Sequence, residues 1–534
     1  MKSDLSLYRL LEIFPGAIAW ATLFGMVVVS WRAPIAASFF IIAFDLYWLL
    51  KTIFFTSHIV ASYRKMRENL KIDWMGRLRE VSEDTNGKVL DKLEQYSSSE
   101  PFDSAQDKLR ESRSYNWQDL YHLIILPAYQ EPYEVLRASL LAIKNSSWPK
   151  DRMIVVLGIE ERGGEEDQIA AEKIKQEFGS NFAKFLVTVH PAGLPGEIPG
   201  KGSNATWAAK AAKKIIDDLP IPYERVIVSS LDSDTRVYPD YFAIVAYHYL
   251  TESGPLQASY QPIPVYHNNI WDAPAISRVV STSDTFWQMT QQSRPERLET
   301  FSSHSMPFKS LVEVGFWQTD IVSEDSRIFW QCLLYYNGDW RVVPLYYPVS
   351  MDANLAPSFW QTAKNIYRQH RRWAWGVENI PYMLYGFFKN KFIPLRKKLF
   401  YASDKIEGFW SLSTNALLIL FLGWLPPLLG GDVFSTTVLA HNLPRITQIL
   451  LTLAMVGLAS AAVISLALLP TRPKKKPYHW KWWLVLEWLT IVVTGTIFGA
   501  IPGLEAQTRL MLGKKLGFWR TPKVRKSEIP ISKF

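Results

Sequence analysis

Residues 225–234 read Arg-Val-Ile-Val-Ser-Ser-Leu-Asp-Ser-Asp. Val226-Ile227-Val228 is apolar and β-branched, the signature of a buried strand, and Asp232 and Asp234 follow at its carboxyl end. In a strand-end turn, two carboxylates spaced by one residue can reach one hard cation that also carries phosphate oxygens. The competing reading is a solvated turn that caps the next helix. Position favours the first, because ligands of open α/β sheets bind beyond the carboxyl ends of the strands.

Working outward, Leu123-Ile124-Ile125-Leu126 is a second apolar run, stopped by Pro127. Residues 153–157 and 185–189 read as further strands, and 135–143 and 201–216 carry helical periodicity. Strands alternating with helices predict a parallel α/β sheet. Residues 127–131, Glu160 and the Asp232–Asp234 pair all fall at strand ends.

Two more polar islands follow in order. Ser323-Glu324-Asp325 precedes a helix beginning Ser326-Arg327-Ile328-Phe329. Acids there serve capping and dipole compensation in most proteins; the chemical alternative makes Asp325 a general base for a hydroxyl. Gln369-His370-Arg371-Arg372-Trp373 lies in a basic segment. It reads as membrane-surface charge with an interfacial Trp, or as a planar diphosphate donor, Arg372, beside a stacking surface, Trp373.

The islands lie between long apolar runs. With 534 residues, 48% hydrophobic and 22 Trp, the chain exceeds one compact domain and is rich in a residue that favours membrane interfaces. Residues 14–31 and 34–60 predict an N-terminal hairpin of spanning helices rather than a cleaved leader. Runs at 408–430, 446–470 and 482–502 follow the polar middle. Arg64, Lys65 and Arg67, against Arg32 alone in the short loop, place the middle in the cytoplasm. The formal charge of +9 gathers beside apolar spans, as at 472–476 and 514–526, which points to anionic lipid rather than nucleic acid. Cys332 is the single cysteine, so no intrachain disulfide forms. Asp45 and Lys51 inside the second run are costly in lipid and are expected to face protein or a polar cavity; snorkelling to one interface is an equal reading for Lys51.

In this order the motifs resemble the membrane-integrated family 2 glycosyltransferases, which carry a GT-A catalytic domain and include cellulose, chitin and hyaluronan synthases. Pro127-Ala128-Tyr129-Gln130-Glu131 is similar to their first nucleotide-binding loop, and Lys201-Gly202-Ser203-Asn204 to their Lys-x-x-Asn segment. Asp232-Ser233-Asp234 matches the Asp-x-Asp. Ser323-Glu324-Asp325 matches Thr-Glu-Asp with Ser for Thr, and Gln369 to Trp373 matches Gln-x-x-Arg-Trp. Phe518-Trp519-Arg520-Thr521-Pro522-Lys523 resembles the Phe-x-Val-Thr-x-Lys gating loop with Arg for Val. Two departures stand out. Gly158-Ile159-Glu160-Glu161-Arg162 occupies the place of an Asp-Asp that contacts base and ribose, so Glu160 or Glu161 is the expected substitute there. Phe301-Ser302-Ser303-His304-Ser305 replaces an acceptor-side Phe-Cys-Gly-Ser.

The resemblance implies an α/β GT-A domain at 119–357 between an N-terminal transmembrane hairpin (1–60), a polar linker (61–118), amphipathic interface helices bearing Gln-x-x-Arg-Trp (358–405), a C-terminal transmembrane region (406–504) and a basic tail (505–534). It implies an inverting enzyme that takes a nucleotide-activated sugar, a UDP-sugar in the first instance, onto a glycan or lipid-linked acceptor in the membrane. Asp232 and Asp234 would hold Mg²⁺ or Mn²⁺, and Pro127, Tyr129, Glu131, Glu160, Lys201 and Asp232 would bind the donor. Asp325, with Glu324, Gln369, Arg372 and Trp373, would carry out transfer; Phe518, Thr521 and Lys523 would close over the nucleotide. A processive β-linked polysaccharide is the first expectation and single-sugar transfer the second. A non-catalytic scaffold or transporter is a third, opposed by intact Asp234, Asp325 and Arg372. Three full spans after a cytoplasmic domain would put the tail outside, against its basic charge. Residues 482–502, interrupted by Glu487, Gly495, Gly499 and Pro502, are the run expected not to cross.

Overall fold

The structure, a computed structural model, describes residues 2–83, 116–471, 480–522 and 524–525. Lys523, the 472–476 basic stretch and most of the polar linker lie outside the described residues.

One eight-stranded sheet organises the polar middle. Its strands are β1 (Tyr121–Pro127), β2 (Met153–Glu160), β3 (Lys184–His190), β4 (Val226–Ser230), β5 (Arg236–Val237), β6 (Ala258–Val265), β7 (Ser305–Pro307) and β8 (Arg341–Ser350), in the order β3-β2-β1-β4-β7-β6-β8-β5. β3, β2, β1 and β4 are parallel, as the four apolar runs predict. β7 turns the sheet, pairing antiparallel with β4 and β6, and β8 returns parallel to β6. Alternate side chains of β1 enter opposite cores: Ile124 and Leu126 on one face, Leu123 and Ile125 on the other. Burial of both faces is why these parallel strands read as unbroken apolar runs.

Five helical segments are long and apolar enough to cross a membrane: Leu5–Arg32, Pro34–Asn69, Leu395–Leu429, Val438–Leu468 and Trp482–Met511. Lys51 faces protein, donating to Glu407 at 2.7 Å, Tyr47 at 2.8 Å and Ser411 at 3.0 Å. Asp45 is likewise buried, beside Thr447. Three expected domain limits fall inside helices: 60/61 within Pro34–Asn69, 405/406 within Leu395–Phe421 and 504/505 within Ile501–Met511. A helix that begins on the soluble side and runs on into lipid has no loop to mark the passage, so composition changes before structure does.

Contacts fix where each segment ends. Asn69 donates to the Leu345 carbonyl of β8 at 2.9 Å, and Gly430 lies against Pro34 at the opposite end of the bundle. The segment from Trp482 to Met511 differs from the rest. It breaks into a 3₁₀ turn at Trp488–Thr490 and a π turn at Thr496–Ala500. Near its start Arg278 holds Glu487 at 2.9 Å and Phe286 stacks on Trp488. Near its end Tyr367 and Arg371 hold Glu505 at 2.6 and 2.8 Å. Both ends therefore rest on helices, one on Ala275–Gln292 of the sheet domain and the other on Phe359–Ala374, the Gln-x-x-Arg-Trp helix.

Candidate active site

Strand ends and two helix N-termini bring the islands together. β4 stops at Ser230, and the turn after it presents Asp232 and Asp234. The helix Lys201–Asp217 starts beside them. Its first turn meets the helix Glu324–Tyr335 so closely that a Cβ on Gly202 would stand 2.8 Å from the Gln318 carbonyl and 3.0 Å from Glu324 Cβ. This approach puts Lys201 between the two acidic islands. Its ammonium lies 2.5 Å from Asp232 Oδ1 and 2.7 Å from Asp325 Oδ2. Burial disfavours the charge on Lys201, but Asp232 and Asp325 outweigh it and raise its pKa above the ordinary lysine value.

Around this triad Ser302 donates to Asp232 Oδ2 at 2.6 Å. His304 is buried, with Nδ1 2.9 Å from the Phe301 carbonyl and 3.8 Å from Asp325; burial lowers its pKa, so the ring is neutral at pH 7. Glu324 is buried, and burial followed by repulsion from Asp325 pushes its pKa up to about 8. It is therefore mostly protonated at neutral pH, while Asp325 keeps an ammonium partner. Ser323 stands at the N-cap, but its side chain accepts no capping bond; it gives its hydroxyl to Glu378 at 2.6 Å, just past the Gln-x-x-Arg-Trp helix, which locks the second island to the third.

In the third island, Gln369 accepts from Asn354 at 2.7 Å, and Arg372 lies 5.1 Å from the centre of the Phe518 ring. Trp373 is 39% exposed and packs at a tilt of 46° on His370, leaving ring surface for a ligand. The tail is thus on the same side as the sheet. A Cβ on Gly200 would meet the Phe518 ring at 2.9 Å, Trp519 sits under Arg368, and Thr521 is buried. Arg520 donates to the carbonyls of Tyr129 and Gln130.

The nucleotide-loop candidates gather at the ends of β1 and β2. Pro127 pairs with Gly158, Tyr129 is half-buried and Glu131 is buried. Asn204 donates to the Gly158 and Ala128 carbonyls at 2.9 and 3.3 Å; it welds the two strand ends rather than facing the cleft. Glu160 is held by Arg162 through two bonds, 2.5 and 3.0 Å, and the same guanidinium lies 3.7 Å above the Tyr129 ring. Arg162, Ser302 and Glu378 are the site residues sequence reasoning missed. Arg162 and Ser302 each left a signal, in the altered Asp-Asp and Phe-Cys-Gly-Ser segments, and Glu378 left none.

Among the described residues, no group of three or more His, Cys, Asp and Glu side chains stands ready to hold a metal alone. Asp232 and Asp234 supply carboxylate oxygens from one turn, a donor set that fits a hard cation completed by diphosphate oxygens.

A family profile described as Glycosyl transferase family group 2 matches residues 227–495, just over half of the chain. The chain belongs to this family. The transferase has the GT-A fold, with apolar helices at both ends. No curated protein sequence shows significant similarity to it. Among solved structures it is similar to the mannosyltransferase PcManGT of Pyrobaculum calidifontis, in complex with GDP-Man and Mn²⁺, at 13% identity and a TM-score of 0.35, covering 73% of this chain and 99% of that one. It is also similar to residues 1–349 of TarS from S. aureus, in complex with UDP-GlcNAc, at 11% identity and a TM-score of 0.34, covering 75% and 93%.

Proposed function

We propose that this glycosyltransferase is an inverting enzyme of the membrane that moves a sugar from a nucleotide donor, a UDP-sugar in the first instance, onto a glycan acceptor, and that it extends a β-linked chain. The observation that carries the reading is the Lys201 ammonium held between Asp232 and Asp325, residues 93 apart in sequence, beneath Arg372 and Phe518.

Asp232 and Asp234 would hold Mg²⁺ or Mn²⁺, which when bound neutralises charge on the leaving diphosphate. The chain's own residues do the rest. Asp325 accepts the proton of the acceptor hydroxyl as its oxygen bonds to the anomeric carbon and the bond to diphosphate breaks on the opposite face. Lys201 satisfies both carboxylates before the donor arrives; a diphosphate entering beside it competes for the ammonium and releases Asp325 to act as base. Arg372 and Gln369 face the departing phosphates, and Trp373 offers the acceptor a stacking surface. Phe518 and Thr521 cover the donor and exclude water.

The topology supports the same reading. Four crossings are assigned: Leu5–Arg32, Pro34–Asn69, Leu395–Leu429 and Val438–Leu468. The fifth segment is proposed to lie along the membrane face, because Glu487 near its start and Glu505 near its end pair with Arg278 and Arg371 of the helices beside the site. That would return the tail to the side of the site, and the Arg64-Lys65-Arg67 cluster supports the cytoplasm as that side.

The test is turnover of a panel of UDP- and GDP-sugars with Mg²⁺ or Mn²⁺. One donor should release its nucleotide, and Asp325→Asn should lower that rate by at least about a hundredfold while nucleotide still binds. Equal loss of turnover and binding in the variant would overturn the assignment of Asp325. Product length then separates polymerisation from single-sugar transfer.

A further inference from the structure

The tail reaches past the segment that covers the donor site. Beyond Thr521, Val524 and Arg525 dock behind the Asp-x-Asp turn. Arg525 and Asp352 form a buried ion pair, with side chains 8% and 2% exposed. Arg525 Nε is 3.0 Å from both Asp352 oxygens and Nη2 is 2.8 Å from Oδ1. The backbone N–H of Asp352 donates in turn to Oδ2 of Asp234 at 3.0 Å. Asn268 ties the same pair, donating to the Asp234 carbonyl at 2.9 Å and to Asp352 Oδ1 at 2.8 Å. Asn269 reaches the tail itself, donating to the Val524 carbonyl at 3.2 Å.

Asp352 and Arg525 belong to none of the family-like motifs, yet they stand directly behind a carboxylate assigned to the metal. A buried carboxylate such as that of Asp352 is costly unless a cation accompanies it. Arg525 is such a cation, and its planar fork fixes the orientation of Asp352 as a lysine would not. Without it, the Asp352 side chain is driven toward solvent, and the N–H that anchors Asp234 moves with it.

We propose that Arg525, acting through Asp352, is a positioning residue for Asp234, so that the C-terminal tail completes the metal-binding end of the donor site. The inference rests on reading Asp232 and Asp234 as metal ligands. It makes tail docking and metal binding reciprocal, each strengthening the other.

The experiment is Mn²⁺ binding to the full-length protein in detergent, followed by loss of the free Mn²⁺ paramagnetic resonance signal, with UDP or GDP present. Arg525→Gln should weaken Mn²⁺ binding by between about tenfold and a hundredfold. Arg525→Lys, which restores the charge without the fork, should fall between that variant and the wild type. Asp352→Asn combined with Arg525→Gln should be no worse than Arg525→Gln alone, since the two act in series. Equal Mn²⁺ affinity in the wild type and Arg525→Gln overturns the role of Arg525 and leaves the metal reading standing. A wild type that binds no Mn²⁺ with either nucleotide overturns both.

Discussion

Glu324 and Asp325 are neighbours in sequence with opposite electrostatic fates. Asp325 meets the Lys201 ammonium, while Glu324 turns into the wall against Gly202. Burial, reinforced by Asp325, pushes the Glu324 pKa up to about 8, against an ordinary value of 4.5. The folded protein therefore keeps a proton that the unfolded chain releases between pH 4.5 and 8. Stability attributable to this group is full below pH 4.5 and is lost as pH rises through that window. Glu324→Gln should remove the dependence. Its melting temperature should gain on the wild type between pH 5 and pH 8, by about 2–4 °C for each kcal/mol recovered. Parallel melting curves across that range would show that Glu324 is ionised in the fold.

At the scale of elements, the apolar segments were the most legible part of the sequence and the easiest to miscount. Trp482–Met511 has the length and composition of a span, yet Glu487 and Glu505, near its two ends, pair with Arg278 of the sheet domain and Arg371 of the Gln-x-x-Arg-Trp helix. Laid along the membrane, as proposed, the helix keeps both partners on one side. Cys332 is buried, so single cysteines elsewhere report cleanly. Cysteines at the exposed positions Ser180 and Lys515 should react with an impermeant thiol reagent from the same face of a sealed vesicle, and one at Asp432 from the other. Lys515 and Asp432 labelled from one face would mean that this segment crosses. Strands β6 and β8 were invisible for a different reason. Each carries two prolines, Pro262 and Pro264 in β6 and Pro344 and Pro348 in β8, and proline argues against a strand when read locally. The pair accommodates them at a break in register between Gln261 and Ile263.

At the scale of the whole molecule, the last residues of the described chain return to the first strand. Arg520 donates to the Tyr129 carbonyl at the end of β1, at 3.1 Å, and Phe518 packs over Gly200 between the tail and Lys201. The N-terminal helix joins the same junction, where Arg9 donates to the Leu510 carbonyl at 2.9 Å. The proposed cover over the donor is thus a long-range contact that the membrane helices orient. Phe518→Ala should open the cover, and the share of donor hydrolysed by water rather than transferred should rise. An unchanged ratio of free sugar to product would remove Phe518 from the barrier against water.

The sequence by itself determined the parallel half of the sheet, the apolar segments and the family of the catalytic domain. Strand runs, helix periodicity and ordered motifs are local patterns, and burial writes them directly into residue type. Only the tertiary structure decided which groups meet: Lys201 between two carboxylates, Glu160 gripped by Arg162, Ser323 given to Glu378, and Arg525 behind Asp234. Each joins charges or hydrogen-bonding groups that only the folded chain juxtaposes, and no periodicity records a contact of that kind.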